Sequence, residues 1–208
     1  SRRRGSSSSP GKNPLLPEVE HLLPPETISS SSRRRYFPSK RRGPLQKKKK
    51  VFISVGAGTT RQTNEECNAY TVQYAYDTTA LARGTGAAIT RQGGKSWYFL
   101  TADYAFGTSL EKDTSEVVKS NGGNVVGATR VPLATSDFSS FLLQAQSSKA
   151  QILGLAVAGG DVINAIKAAN EFGVNKTMKL AGLLIFINDT HSLGLQMTQG
   201  MYLTDGWY

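Results

Sequence analysis

The sequence predicts an α/β fold, a parallel sheet with helices on both faces, and three observations carry the prediction. From Val51 onward, apolar runs of strand length alternate with segments of helical periodicity. Most helical segments close on glycine, as at Gly93-Gly94 and Gly122-Gly123. An apolar run of strand length from Trp97 stops at Asp103, and two aromatics, a glycine and a helix follow, as at the strand ends of an open α/β sheet.

Each element follows from its local chemistry. Val51–Val55 reads as a short buried strand that ends in Gly56-Ala57-Gly58-Thr59-Thr60. Tyr70–Tyr76 reads as a second strand, with Val72 and Tyr74 spaced for one face. Asp77 then caps a helix reaching about Gln92. Ser96–Thr101 is a strand and Gly107–Asn121 a helix. Asn124–Val131 is a strand. Ser136-Asp137 opens the helix Phe138–Ser147, in which Phe138, Phe141, Leu142 and Ala145 recur at helical spacing. Gln151–Ala156 is a strand, Asp161–Phe172 a helix with Asp161 as its cap, and Lys179–Phe186 a strand. A short helix near Thr190–Leu195 and a strand over Gly200–Thr204 end the pattern, and the sheet looks interrupted at Trp207-Tyr208.

Net charge is a misleading guide to function here. The formal +10 divides into 14 Lys and Arg against 3 acids in residues 1–50, and 11 against 12 in residues 51–208. The basic signal therefore belongs to a Ser-, Arg- and Pro-rich leader, predicted to be disordered for want of apolar surface to bury. The abrupt composition change near Gln46–Val51 favours reading residues 1–50 as an artefact, such as DNA translated in the wrong frame, and not as part of the fold. A basic tail for nucleic acid and an organellar targeting peptide are weaker readings. After Lys50 no basic face remains, so no nucleic-acid partner is expected. Cys67 is the sole cysteine and is expected to be a small buried residue. No apolar run is long enough to span a membrane.

Chemistry-bearing motifs lie at strand ends, where open α/β sheets bind ligands. Gly56-Ala57-Gly58 partly matches a dinucleotide fingerprint, but Arg61 stands where the third glycine belongs. The same small residues, with Thr59 and Thr60, also suit a carboxylate held by backbone amides and hydroxyls, or form nothing more than a tight turn. Asp103-Tyr104-Ala105-Phe106-Gly107 places two aromatics above a helix start, a wall for a small amphipathic or anionic ligand. Val157 precedes Ala158-Gly159-Gly160-Asp161 at a third strand end. No catalytic residues, metal ligands or cofactors are expected. His191 has no neighbouring ligand, Glu65-Glu66 read as a solvated turn, and Cys67 has no activating partner.

From about Gln46 to Tyr208 the chain resembles the substrate-binding proteins of branched-chain amino acid-type ABC transporters, the leucine-binding-protein group. The residues that carry this are Val51–Thr60, Thr101–Gly107, Thr135-Ser136-Asp137-Phe138-Ser139, Gly159–Asp161 with Ala165–Ala169, and Gln199-Gly200-Met201. The resemblance implies part of a two-lobed type I periplasmic-binding fold: residues 51–76 the end of the first lobe, 77–208 a truncated second lobe. It also implies a non-enzymatic, extracytoplasmic and monomeric component of an importer, closing over an amino acid or related small carboxylate and then docking on the permease. Ligand contacts carried over are Gly56, Ala57, Gly58 and Thr59, the aromatics Phe106 and Tyr104, Val157, and the Phe186–Asp189 loop. The family's chains extend beyond both ends of this one, so the sequence is expected to be a fragment that binds ligand weakly or not at all. The rival expectation is a small α/β enzyme or nucleotide binder using Gly56–Gly58.

Overall fold

The computed structural model describes residues 47–205. The leader's reading for residues 1–46, and that for Trp207-Tyr208, lie outside the described residues. In chain order the strands and helices are β1 (Phe52–Ser54), β2 (Thr71–Gln73), α1 (Thr78–Leu81), α2 (Ala87–Arg91), β3 (Ser96–Ala102), α3 (Ala105–Ser120), β4 (Asn124–Val131) and α4 (Ser139–Ser147). Then come β5 (Ile152–Ala156), α5 (Gly160–Glu171), β6 (Lys179–Gly182), α6 (Ile187–Leu193), α7 (Leu195–Thr198) and β7 (Tyr202–Leu203). None of these helices is long and apolar enough to cross a membrane.

The strands form two parallel sheets, a pair β1-β2 and a five-stranded sheet in the order β4-β3-β5-β6-β7. Strand order reverses at β3, so the switch point, where such sheets bind ligands, lies between the carboxyl ends of β3 and β5. Side chains of β3 alternate between two cores. Trp97 and Phe99 enter a cluster with Leu81, Ile89, Leu110 and Val118, under α1–α3. Tyr98 and Leu100 enter another with Leu142, Val162, Ala165 and Ile166, under α4 and α5. Burial on both faces is why the run carries no polar alternation. Strand glycines make room for these rings: a Cβ on Gly154 would sit 2.5 Å from Phe99, and one on Gly127 2.7 Å from Tyr98.

The long helix expected from Asp77 is present but not regular. It opens into a π turn over Ala82–Gly86 between α1 and α2. There the Thr85 hydroxyl meets Thr204 Oγ1 at 2.6 Å, and a Cβ on Gly84 would fall 2.6 Å from the same oxygen. The turn thus fits the helix against β7, a relation between residues far apart in sequence.

Several expectations are corrected. The first strand is not buried: Val51, Ile53 and Val55 are 66%, 56% and 69% exposed. Register sets Ile53 beside Val72, so these residues share a face with Val72 and Tyr74, also exposed, and no described element covers it. Cys67 is exposed, on a turn where its amide donates to Asn64 O. Asp161 does not cap α5. Gly159, at φ +64°, holds the cap position, while the Asp161 carboxylate accepts the Ala134 amide at 3.2 Å. The strand from Lys179 stops at Gly182, because Ile185 folds back over Gly182 and the chain then turns into α6. The helix expected near Thr190–Leu195 is two helices separated at Gly194, φ +82°.

Candidate functional site

The carboxyl end of the five-stranded sheet gathers most of the candidate residues. Asp103 and Tyr104 leave β3, with the Asp103 amide donating to Val131 O, and Tyr104 sits at the N-cap of α3. The rings of Tyr104 and Phe106 lie 5.9 Å apart. Tyr104 packs on the core under α4 and α5, and Phe106 on the core under α1–α3, so the pair straddles the sheet edge.

Across from them stands the Gly56–Thr59 loop. Gly58 has φ +58°, a left-handed conformation that glycine adopts without a Cβ penalty. Its carbonyl accepts the Thr78 amide at 3.0 Å, and it bridges to Asp77, which binds the loop to the start of α1. A Cβ on Gly58 would lie 2.9 Å from Phe106 Cε2 and 3.6 Å from Tyr76 Cε2. Gly58 is therefore in ring contact with Phe106, nearly fifty residues on. Gly56 and Ala57 are exposed, and the Thr59 hydroxyl accepts the Arg61 amide at 3.3 Å.

Val157 lies at the end of β5, and its side chain is fully buried in the core under α4 and α5. Sequence reasoning did not single out Tyr76. Its ring pairs with that of Phe186 at 6.0 Å, and both pack on the core that holds Phe106. The signal was there in part: Tyr76 is an aromatic directly before a helix cap at Asp77.

Among the helices that begin at this edge, α3 and α5 have no side-chain hydrogen bond at their caps. Their positive dipole ends favour an anion. The Gly56–Gly58 loop leads only into a three-residue 3-10 turn, Thr60–Gln62. A dinucleotide site needs a helix start there to receive the pyrophosphate. Among the described residues no three His, Cys, Asp or Glu side chains are grouped to hold a metal ion. Hydrogen bonds from the Ser139 side chain and amide hold the Asp137 carboxyl below the usual carboxylate value. It stands at the start of α4, in the segment that follows the carboxyl end of β4.

Sheet order and edge chemistry define an open α/β domain of the doubly wound class. The particular family follows from comparison with known proteins: a periplasmic binding protein model matches residues 42–208, and the chain belongs to that family. A solved periplasmic binding protein from Burkholderia mallei is 68% identical over 81% of this chain, with a TM-score of 0.77. A branched-chain amino acid ABC transporter periplasmic ligand-binding protein from Burkholderia xenovorans is 33% identical over 76%, TM-score 0.69. An amino acid ABC transporter substrate-binding protein from Pseudomonas fluorescens is 25% identical over 81%, TM-score 0.76. The chain spans 45%, 43% and 46% of those three chains, less than half of each. No curated protein matches it.

Proposed function

We propose that the chain is the ligand-bearing part of an extracytoplasmic solute-binding component of an ABC importer for amino acids or related small carboxylates. The observation that carries this reading is the meeting of Gly58 with Phe106 beside the sheet's switch point. A loop of small residues there faces an aromatic wall, the arrangement that suits a small anionic or amphipathic solute. The B. xenovorans and P. fluorescens relatives, transporter binding proteins by description, support it.

In this proposal residues 51–76 belong to a first lobe and 77–208 to a second. The ligand's carboxylate rests on the amides of Gly56, Ala57, Gly58 and Thr59. Tyr104 and Phe106 pack on its body, and Val157 contributes backbone because its side chain is committed to the core. The protein performs no catalysis. It works as a monomer, and ligand closes the two lobes about Asp77 by a hinge motion. The closed form then docks on the permease. The 208-residue chain alone binds weakly, since one sheet edge with part of its opposing wall encloses a ligand incompletely.

The test is an NMR titration of the chain with small carboxylates and, separately, with NAD. Expected are saturable shifts of the Gly56–Thr59 amides and the Phe106 ring with a carboxylate, and none with NAD. Shifts with NAD alone would replace this reading with nucleotide binding. Micromolar affinity of the chain for an amino acid would refute the weak-binding expectation.

A further inference from the structure

Near its carboxyl end β3 carries a polar side chain against α3. Thr101 is fully buried, and its hydroxyl donates to Glu111 Oε2, in the second turn of α3, at 2.5 Å. The same oxygen accepts Arg130 Nη1 at 3.1 Å, and that nitrogen also reaches Thr108 Oγ1 at 3.3 Å. Register sets Arg130 directly beside Thr101 on the neighbouring strand β4. One carboxylate oxygen therefore clasps β3, β4 and the opening turns of α3 together. The Glu111 side chain is only 19% exposed, so its bonds are charge-assisted and weakly screened. Lys112 and Glu116 on the same helix are both well exposed and 4.0 Å apart, a pair of little consequence by comparison.

The clasp bears on the candidate site because no side chain caps the first turn of α3. The backbone of that turn rests on β3 at Gly107, where a Cβ would fall 2.2 Å from Ala102 O. A helix resting at one point can turn about it. From α1, the Thr79 hydroxyl meets Asp113 Oδ2 only at 3.4 Å, the edge of hydrogen-bond reach. Phe106 stands one residue before the pivot, and its ring has little room, since a Cβ on Gly58 would lie 2.9 Å from it. A small turn of α3 about Gly107 would press that ring into the Gly56–Thr59 loop or open a gap beside it.

We propose that Glu111, held by Thr101 and Arg130, is a positioning residue for the solute site, a proposal that rests on the small-carboxylate reading above. Glu111 touches no solute. It fixes the angle of α3, and through it the place of Phe106 and Tyr104 against the Gly56–Thr59 loop. Contact residues are held to within a fraction of an ångström by such bonds behind them.

Four variants of the 208-residue chain test this, each with its fold checked by circular dichroism. Glu111→Ala removes the clasp, Glu111→Gln removes its charge, and Arg130→Met removes the β4 arm from an exposed position. Lys112→Ala breaks the neighbouring surface pair as a control. Two readouts are taken: nuclear Overhauser effects between the Phe106 ring and the Gly58 α-protons, and titration with L-leucine, L-phenylalanine and 4-methylpentanoate followed at the Gly56–Thr59 amides. In Glu111→Ala the Overhauser effects should fade, and the probe that wild type binds best should weaken about fivefold or more. Glu111→Gln and Arg130→Met should shift both readouts the same way by smaller factors, and Lys112→Ala should shift neither. If Glu111→Ala and Arg130→Met lower the melting temperature but leave both readouts as in wild type, the clasp is structural only. The proposal is then overturned and the solute-binding reading stands. If Glu111→Ala does not fold, Arg130→Met decides by the same two readouts. If no probe moves the wild-type amides, the solute-binding reading fails and the positioning role falls with it.

Discussion

Replacing Gly58 by alanine perturbs the site at its tightest joint. The residue sits at φ +58°, and an alanine there carries about 1–2 kcal/mol of left-handed strain. Its Cβ would also fall 2.9 Å from Phe106 Cε2 and 3.2 Å from Cδ2. Those atoms belong to a half-buried ring that rotates at modest cost, so strain is the larger part and the ring contact adds a few tenths to about 1 kcal/mol. Urea unfolding of wild type, Gly58→Ala, Phe106→Leu and the double variant separates the two. Gly58→Ala should lose about 1.5–2.5 kcal/mol at unchanged m-value. The double variant should be more stable than the sum of the singles by at least about 0.5 kcal/mol, since the smaller side chain relieves the contact. A Gly58→Ala loss below about 0.5 kcal/mol, or strict additivity, would refute the claim that this glycine is both left-handed and pressed against Phe106.

Asp77→Ala removes the carboxylate that accepts the Ala80 amide at 2.8 Å, and should destabilise the chain by about 1 kcal/mol, with most of the loss recovered in Asp77→Asn; thermal melts check it. Ile53→Lys places a charge on the exposed face shared with Val51, Val55, Val72 and Tyr74. It should lower ANS fluorescence and concentration-dependent light scattering at little cost in stability, whereas a residue of a covered core would unfold the protein. Asp137 has its pKa lowered by Ser139. A carboxylate depressed in the folded state stabilises the fold above its unfolded pKa, about 3.9, and loses that contribution as pH falls through the folded value. The stability gap between wild type and Asp137→Ala should therefore be level at neutral pH and close in acid; a gap that widened in acid would contradict the shift.

Much of the architecture was legible because it is local. The apolar run Trp97–Thr101, the cap at Asp77 and the helical spacing of Phe138, Leu142 and Ala145 are properties of short windows, set by side-chain direction and backbone geometry. The strand Asn124–Val131 and its neighbours were read for the same reason. The leftover errors sit where distant segments decide. A buried strand over Val51–Val55 is the natural reading of five apolar-rich residues, yet burial depends on what covers the face, and among the described strands β1 pairs with β2 alone. Asp161 looks like a cap in sequence, but the positive φ of Gly159 takes that position and frees the carboxylate for Ala134.

For the site, the sequence alone determined that strand ends would carry small residues at Gly56–Thr59 and aromatics at Tyr104 and Phe106. Tertiary structure decided that the two groups touch, that Tyr76 and Phe186 join them, and that Val157 points into the core. The physical reason is range. Propensity and periodicity act over a turn or a strand. Which ring meets which glycine is set by sheet order, which brings together segments that no local pattern relates.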